Sequence, residues 1–275
     1  MASAGGGKSR RRATDAPALQ GPSALVCPRC AGRLRAAAEA LVCPRRHRHD
    51  LVGGIVDLWP PDRDLPAMDV FSGPYGIVYD WAIKERWLAR IGGRLGWGAD
   101  VGPMYRLMDD GVKAAPGELI LDVPVGGAPA LRAAPGRMRG TYVGIDISMG
   151  MLERAVEVVR QERLTGVLLA RADAADLPLA DASADRVLCF NGLHVMPDKE
   201  GVLAEFRRVL KPRGELWGSV VLYDSATRRS RPWINTAAFF HPADPTALRA
   251  AAAGAGFKTW NEERSGALLY FRARA

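Results

Sequence analysis

The fold is decided by residues 119–131, which read LILDVPVGGAPAL. The leading apolar run predicts a buried strand, and the small residues after it predict a tight loop that leads into a helix. Gly126 and Gly127 carry no side chain, so the backbone of such a loop can approach a bound nucleotide closely. The stretch therefore predicts a nucleotide-like cofactor site, although Pro124 and Ala128 stand where a glycine-rich turn has glycine.

The chain after this stretch alternates strands and helices. Helices are predicted at about 149–163 and 199–210, and strands at 118–125, 141–147, 167–173, 184–192 and 214–224. Repeated crossovers of this kind require an α/β, Rossmann-like, mostly parallel sheet with helices on both faces. The last segments, KTWNEE and ALLYFRAR, predict a closing antiparallel pair. A ligand of such a sheet lies at the carboxyl ends of its strands.

Length and composition allow one large domain with a small appendage. The chain has 275 residues, of which 48% are apolar, enough to bury an α/β core. We expect a disordered tail at 1–24, a small module at 25–64 and the large domain at 65–275. No apolar run approaches the length of a transmembrane segment, and the N-terminal arginines are not followed by the apolar stretch of an export signal.

The net charge of +8 is concentrated near the N-terminus. Residues 1–20 contribute +3 and residues 26–50 contribute +4, which leaves the large domain nearly neutral. An enzyme dedicated to nucleic acid needs a basic surface beside its cleft, because phosphate neutralisation dominates its affinity. Any contact with nucleic acid would therefore depend on the N-terminal module.

Three of the four cysteines have the spacing of a zinc site. Cys27 and Cys30 form C-x2-C, and Cys43 with His47 forms C-x3-H, which suits tetrahedral zinc with four protein ligands. His49 is an alternative fourth ligand. A site without an open position is structural, so zinc would stabilise this short module rather than act in catalysis. Cys189 lies in an apolar run as a buried thiol, and the absence of cysteines left for disulfides favours the cytoplasm.

Residues 69–112 carry helical periodicity. The inward-facing side chains are predicted to be Val70, Tyr75, Val78, Tyr79, Ala82, Trp87 and Leu88.

The segment RADAADLPLADASADRVLCFNGLHVMPD, residues 171–198, is the most specific part of the chain. With LILDV, GIDIS and FRRVLKPRGEL, it resembles the class I S-adenosylmethionine-dependent methyltransferases, in particular the type 11 group that includes ubiquinone/menaquinone-pathway C-methyltransferases. The resemblance covers about residues 118–222. It implies S-adenosylmethionine as cofactor, a small-molecule acceptor and a seven-stranded sheet whose last strand is antiparallel.

The resemblance also implies roles for particular residues. Asp146, with Ile147 beside it, would hold the ribose hydroxyls, and Asp173 with the backbone of Ala174 would bind the adenine. The methionine end would be bordered by the remaining residues of the set, namely Asp122, Gly126, Gly127, Asn191 and Gly192. Tyr79 lies in an element that resembles the cofactor-closing helix of the quinone-pathway enzymes, and its alternative is a simple packing role.

Direct methyl transfer needs a general base only if the acceptor must lose a proton. His194 is the candidate base and His241 the second choice; for both, packing of a loop is the alternative. The segment 225–245 follows the fifth strand and is predicted to cap an apolar acceptor pocket with Trp233, Phe239 and Phe240.

Two alternatives to a small, lipid-like acceptor remain. The cysteine-rich segment is similar to that of rRNA guanine-N1 methyltransferases, and its arginines would suit RNA. A protein with a vestigial cofactor domain is the other alternative. The Asn/Asp-Pro-Pro-aromatic motif of exocyclic-amine methyltransferases is absent after the fourth strand.

Overall fold

The computed structural model describes residues 24–37, 39–60, 63, 71, 73–134, 136–230 and 240–275. Residues 1–23 of the predicted tail lie outside these residues, as do Val70, Trp233 and Phe239, whereas Ala24 is described and buried. The side chains of Tyr75 and Tyr79 also lie outside the described part, although their backbone belongs to a helix.

The described chain forms eleven strands and seven α-helices. The strands are β1 (Arg35–Ala37), β2 (Ala40–Val42), β3 (Arg48–Val52), β4 (Ile55–Asp57), β5 (Leu119–Asp122), β6 (Arg137–Asp146), β7 (Thr165–Arg171), β8 (Ala184–Phe190), β9 (Leu210–Val221), β10 (Thr259–Ser265) and β11 (Leu268–Arg274). The helices are α1 (Pro74–Lys84), α2 (Arg86–Gly92), α3 (Gly102–Gly111), α4 (Met149–Gln161), α5 (Lys199–Val209), α6 (Ser225–Ser230) and α7 (Pro245–Gly254).

All described strands belong to one sheet, in the order β1-β2-β3-β4-β7-β6-β5-β8-β9-β11-β10. The strands from β4 to β9 in this order pair in parallel, whereas β11 runs antiparallel to both β9 and β10. Seven adjacent strands, in the order β7-β6-β5-β8-β9-β11-β10, therefore form the predicted Rossmann-like sheet, and β11, the last strand in the chain, is antiparallel. The central strands are buried on both faces: Leu119 and Leu121 pack in one apolar cluster and Ile120 in another.

The long helices begin where the sequence supplies a capping side chain. Ser148 accepts a hydrogen bond from the Met151 amide at the start of α4, and Asp198 accepts one from the Gly201 amide at the start of α5. Both helices follow the carboxyl end of a parallel strand. Their N-termini therefore lie at the edge of the sheet where a ligand is expected.

The prediction of a helix after the first strand of the main sheet is wrong. In its place the chain makes a single 3-10 turn at Ala130–Ala133, preceded by Pro129. Residues 123–136 contain three prolines, each of which removes an amide donor and disfavours helical conformation in the residue before it. The apolar run is thus read correctly as a strand, but the connection to β6 is too rich in proline for an α-helix.

The predicted inward positions of the helical region are corrected for Val78 and Trp87. Val78 in α1 and Trp87 in α2 are 62% and 60% exposed. Residues 93–97 form a π-helical turn after α2. In α1 and α2 part of the apolar periodicity therefore marks an outward face, whereas Ala82 and Leu88 are half-buried and α3 packs in the core.

The N-terminal module is built into the main sheet. β1 to β4 form an antiparallel meander, and β4 pairs in parallel with β7. Leu25 adds an isolated bridge to Leu179, and Cys27 and Cys43 share one buried cluster with the core. The sheet and the core thus cross the domain boundary predicted at residue 64. Among the described residues, no helix is long and apolar enough to cross a bilayer.

Candidate functional site

A cavity of about 540 Å³ opens at the carboxyl ends of the parallel strands. Most of its wall comes from the segments that follow β5, β6, β7 and β8, and the rest includes Phe71, Met108 and His241. Seven of the ten predicted cofactor-binding residues line it, namely Gly126, Gly127, Asp146, Ile147, Asp173, Ala174 and Asn191. Asp122 and Gly192 do not line the cavity, and the side chain of Tyr79 lies outside the described part.

Asp146 ties the loop after β5 to the end of β6. Its Oδ2 accepts a hydrogen bond from the Gly126 amide at 2.9 Å, and its Oδ1 accepts one from the Ser148 amide at 2.9 Å. Gly126 has φ +54°, a conformation that favours glycine. Burial raises the pKa of Asp146 to about 6, although these amide hydrogen bonds oppose the rise. A carboxylate has about four lone-pair sites, so Asp146 can still accept a hydrogen bond from a ligand in the cavity.

Asp122 is buried beneath this loop rather than exposed to the cavity. The Tyr142 hydroxyl donates to Asp122 Oδ2. Burial raises the pKa of Asp122 to about 7, and the negative charge of Asp146 adds to the rise. The buried Asp122–Tyr142 pair therefore joins the end of β5 to β6.

Pro124 and Ala128 are accommodated in the loop without filling the cavity. Pro124 lines the cavity wall, and its Cδ packs so close to Gly192 that a Cβ there would lie at 2.2 Å. Ala128 is fully buried with φ +56°, a conformation unfavourable for alanine. Gly192 thus makes room for the proline.

Asp173 lies where β7 ends and is contacted from the N-terminal module. Its Oδ1 accepts a hydrogen bond from the Ala175 amide at 2.9 Å, and its Oδ2 pairs with Arg63 Nη1 at 3.0 Å. Arg63 lies over the ring of Trp59, whose indole nitrogen donates to the Arg63 carbonyl. Sequence reasoning missed Arg63 because the paired residues are 110 positions apart.

Asn191 is held at the cavity wall by a buried polar network. It has φ +53°, and the Ser219 hydroxyl donates to its Oδ1 at 2.9 Å. Its side-chain amide points to Met104 Sδ at 3.4 Å. Because both ends of this side-chain amide are held, Asn191 is a rigid polar group in the cavity wall. The rest of that wall is largely apolar and includes Phe71, Met108, Met151, Phe190 and Met196.

His194 does not reach the cavity. It is 4% exposed, its Nδ1 accepts a hydrogen bond from the Val221 amide at 3.3 Å, and its ring lies 4.7 Å from that of Phe240. Burial lowers the pKa of His194 to about 3. This geometry supports packing rather than proton transfer. His241, the second choice, does line the cavity and its amide donates to the His194 carbonyl.

The four predicted metal ligands come together in the module. The ligand atoms of Cys27, Cys30, Cys43 and His47 all lie within 4.8 Å of one another. The Cys30 and Cys43 sulfurs are 3.6 Å apart, and Cys27 Sγ is 3.4 Å from His47 Nδ1. A zinc tetrahedron with Zn–S bonds of about 2.3 Å has sulfur–sulfur edges of about 3.8 Å, so the donor set and its spacing fit such an ion.

His49, which lies in β3, adjoins the same cluster. Its Nε2 is 3.4 Å from Cys27 Sγ, and its ring hydrogen-bonds to the Asp57 backbone. His49 is not among the four residues whose ligand atoms are all mutually close. The geometry therefore favours His47 as the fourth ligand.

The fold is that of the class I methyltransferases, as the order of the seven main strands indicates. A family model described as a methyltransferase domain matches residues 121–218. The chain is 32% identical over 171 residues to the methyltransferase GfsG of Streptomyces halstedii, covering 57% of this chain and 61% of that one. It is 37% identical to a demethylmenaquinone methyltransferase of Alkalihalophilus pseudofirmus, covering 38% of this chain and 45% of that one.

The matched part of the chain thus spans less than two thirds of the length of these curated relatives. Among solved structures, phosphoethanolamine N-methyltransferase 2 of Haemonchus contortus has a TM-score of 0.58 at 16% identity, covering 72% of this chain and 56% of that one. The [4+2]-cyclase SpnF has a TM-score of 0.53 at 21% identity, covering 62% of this chain and 79% of that one. At these identities the likeness shows the fold alone.

Proposed function

We propose that this protein is an S-adenosylmethionine-dependent methyltransferase acting on a small, apolar or lipid-like acceptor. The observation that carries the proposal is the cavity at the carboxyl ends of β5 to β8, where Asp146, Asp173 and Asn191 lie beside the turn at Gly126. The sequence match of residues 121–218 to a methyltransferase domain supports it.

The cofactor would be held by the side chains that already converge on the cavity. Asp146 would accept hydrogen bonds from the ribose diol, and Asp173 would accept one from the adenine amine. Gly126, Gly127 and Asn191 would border the methionine end. When bound, S-adenosylmethionine supplies a sulfonium methyl group for direct displacement.

The chain's own contribution is to position the acceptor and exclude water. The apolar wall favours an acceptor with little charge, and apolar burial keeps water away from the reacting atoms. His241 is the ionisable ring on the cavity wall that could take a proton from an acceptor hydroxyl. An acceptor without such a proton needs no base.

For the module, the proposed metal is structural zinc held by Cys27, Cys30, Cys43 and His47. Four protein ligands leave no open position for chemistry. A metal ion there would fix the meander of β1 to β3 and, through β4, the edge of the sheet next to β7. Asp173 follows β7 directly, so the module would also stabilise the adenine end of the cavity.

RNA guanine methylation is the second candidate. It is favoured by one observation: all six arginines between residues 26 and 50 are exposed on the module. Exposed arginines could neutralise phosphates. The neutral charge of the main domain and the apolar cavity wall favour the small acceptor.

Transfer of labelled methyl groups separates the candidates. The purified protein is incubated with labelled S-adenosylmethionine and either total RNA or an organic extract of cells. Label in the organic extract is the expected result. Label in RNA would show that the acceptor is RNA rather than a small molecule. Label in neither, together with no calorimetric binding of S-adenosylhomocysteine, would indicate that the cofactor domain is vestigial.

Cofactor binding has a matched pair of variants. Asp146→Ala removes the carboxylate at the cavity, and we expect it to lower the affinity for S-adenosylhomocysteine by roughly tenfold or more. Asp181→Asn changes a carboxylate that is 79% exposed and pairs with Arg208 outside the cavity. It should retain the affinity. Equal affinities of the two variants would contradict the proposed cofactor site.

A further inference from the structure

The helices before β5 carry an outward-facing apolar surface. Trp87, Ile91 and Leu95 follow one another at four-residue spacing and are 60%, 50% and 75% exposed. Residues so spaced share one face of a helix. In α1, Ile77 and Trp81 repeat the spacing and are 59% and 57% exposed.

This concentration is unusual within the molecule. Of the seven large apolar side chains that are highly exposed in the described chain, six lie between residues 77 and 95, and the seventh is Val52. Contiguous exposed apolar side chains mark contact surfaces, whereas scattered ones need no explanation. We call the set formed by Ile77, Val78, Trp81, Trp87, Ile91 and Leu95 the apolar face.

A row of arginines runs beside the apolar face. Arg86, Arg90 and Arg94 precede the three apolar residues by one position each, so they form a parallel row on the neighbouring side of the helix. Arg86 donates two hydrogen bonds to the Asp109 carboxylate, from Nη1 to Oδ2 at 2.8 Å and from Nη2 to Oδ1 at 2.5 Å. Among the described residues, no ion pair involves Arg90 or Arg94.

A groove of about 550 Å³ leads from this arginine row toward the candidate active site. Its charged lining is mainly basic and consists of Lys84, Glu85, Arg86, Arg90 and Arg132, beside the ring of Trp87. Ile83 and Pro129 line both this groove and the cofactor cavity, so the two spaces adjoin.

We propose that the apolar face docks this protein onto the surface of an anionic lipid bilayer. Aromatic and aliphatic side chains flanked by arginines fit the boundary between lipid headgroups and acyl chains. The arginines supply attraction to anionic headgroups. A two-fold contact with a second copy about an axis across the helix would bring the two arginine rows together, whereas anionic headgroups offer them opposite charge.

Docking would direct the cationic groove toward the membrane. An anionic headgroup could enter the groove while its apolar part approaches the cavity. This last step rests on the proposed methyltransferase function, since it supplies a lipid-like acceptor to the cavity. The docking itself requires neither the cofactor nor the reaction.

Vesicle co-sedimentation of the full chain tests the docking. One set of vesicles contains equal parts of phosphatidylglycerol and phosphatidylcholine, and the other contains phosphatidylcholine alone. We expect binding to the anionic vesicles to be roughly tenfold tighter or more, and to weaken at high salt. Similar binding to both vesicles, or binding to neither, would overturn the proposal.

Surface variants identify the face responsible. Trp87→Ser with Ile91→Ser, and separately Arg90→Glu with Arg94→Glu, should each lower vesicle binding by roughly tenfold or more. Val52→Ser and Lys258→Glu are the matched controls, since they change an exposed apolar and an exposed basic residue outside the face. They should bind as the unmodified protein does.

Two further readouts separate the possible outcomes. A dimer in size-exclusion chromatography that the Trp87→Ser and Ile91→Ser changes dissociate would assign the face to a second copy and overturn the proposal. Calorimetry with S-adenosylhomocysteine should give the same affinity for all four variants. Vesicle binding without cofactor binding would contradict the proposed function and leave the docking intact.

Discussion

Pro124 and Gly192 occupy one another's space: a Cβ on Gly192 would lie 2.2 Å from Pro124 Cδ and 3.0 Å from Cys189 Sγ. The proline in the cofactor loop therefore requires glycine after β8. We expect Gly192→Ala to lower the free energy of unfolding by about 1–3 kcal/mol, the usual cost of overpacking. Urea denaturation measures this loss. Because Pro124 lines the cavity, the affinity for S-adenosylhomocysteine should fall as well.

Two variants complete this test. Pro124→Gly in the Gly192→Ala protein removes the ring that clashes, so most of the lost stability should return. Gly254→Ala serves as the control, since a Cβ there meets nothing within 4 Å. A Gly192→Ala protein as stable as the Gly254→Ala protein would show that the contact does not constrain the loop.

The buried Asp122 predicts a pH dependence of stability. The pKa of Asp122 is raised to about 7 in the folded chain, whereas its ordinary value is 3.8. Between these values the folded state binds more protons than the unfolded state, so stability falls as the pH rises from about 4 to 7. Asp146, whose pKa is raised to about 6, contributes with the same sign.

Asp122→Asn should remove much of this dependence. The amide oxygen can still accept the Tyr142 hydroxyl, and no charge is buried. We expect the variant to be more stable than the unmodified protein at pH 8, by on the order of 2 kcal/mol, with a smaller difference at pH 5. Thermal denaturation across this pH range is the measurement. A variant that loses stability equally at both pH values would argue against a buried carboxylate that resists ionisation.

The joined sheet predicts that the metal stabilises the whole chain. Chelation, or Cys43→Ser, should lower the melting temperature of a single transition rather than unfold a separate module, because β4 belongs to the main sheet. The loss should be several kcal/mol. Differential scanning calorimetry and metal analysis check it.

Cys189→Ala is the matched control for the metal variants. It removes a buried sulfur far from the four ligands in the chain, so the metal content should be unchanged. Two separate thermal transitions, or an unmodified protein that purifies without metal and does not respond to zinc, would contradict the expectation.

The two histidines near the cavity should behave differently. His194→Ala removes the acceptor of the Val221 amide and the contact with Phe240, so it should lower the free energy of unfolding by about 1–3 kcal/mol. The pH profile of the remaining activity should keep its shape between about pH 5 and 8, because burial holds the pKa of His194 far lower.

His241→Ala should instead affect activity and leave stability nearly unchanged, since His241 is exposed at the cavity wall. For an acceptor that must lose a proton, kcat should fall while cofactor affinity is retained. A loss of kcat in a stable His194→Ala protein would restore His194 as the base.

The sequence by itself determined the local elements and their chemistry. Apolar runs such as 119–122 and 184–190 specify strands buried on both faces, and their alternation with capped helices leaves a parallel sheet as the outcome. The spacing of Cys27, Cys30, Cys43 and His47 likewise specified a cluster. Tight turns follow Cys27 and Cys43, where the Cys30 and Arg46 amides donate back to their carbonyls.

Only the tertiary structure decided the relationships between distant segments. The Arg63–Asp173 pair, the Pro124–Gly192 contact and the β4–β7 pairing each join residues that lie far apart in the chain. No local periodicity encodes such contacts. The outward direction of Trp87 was also undecided by the sequence, since an amphipathic pattern shows which residues share a face but not whether that face packs on the core or meets a partner.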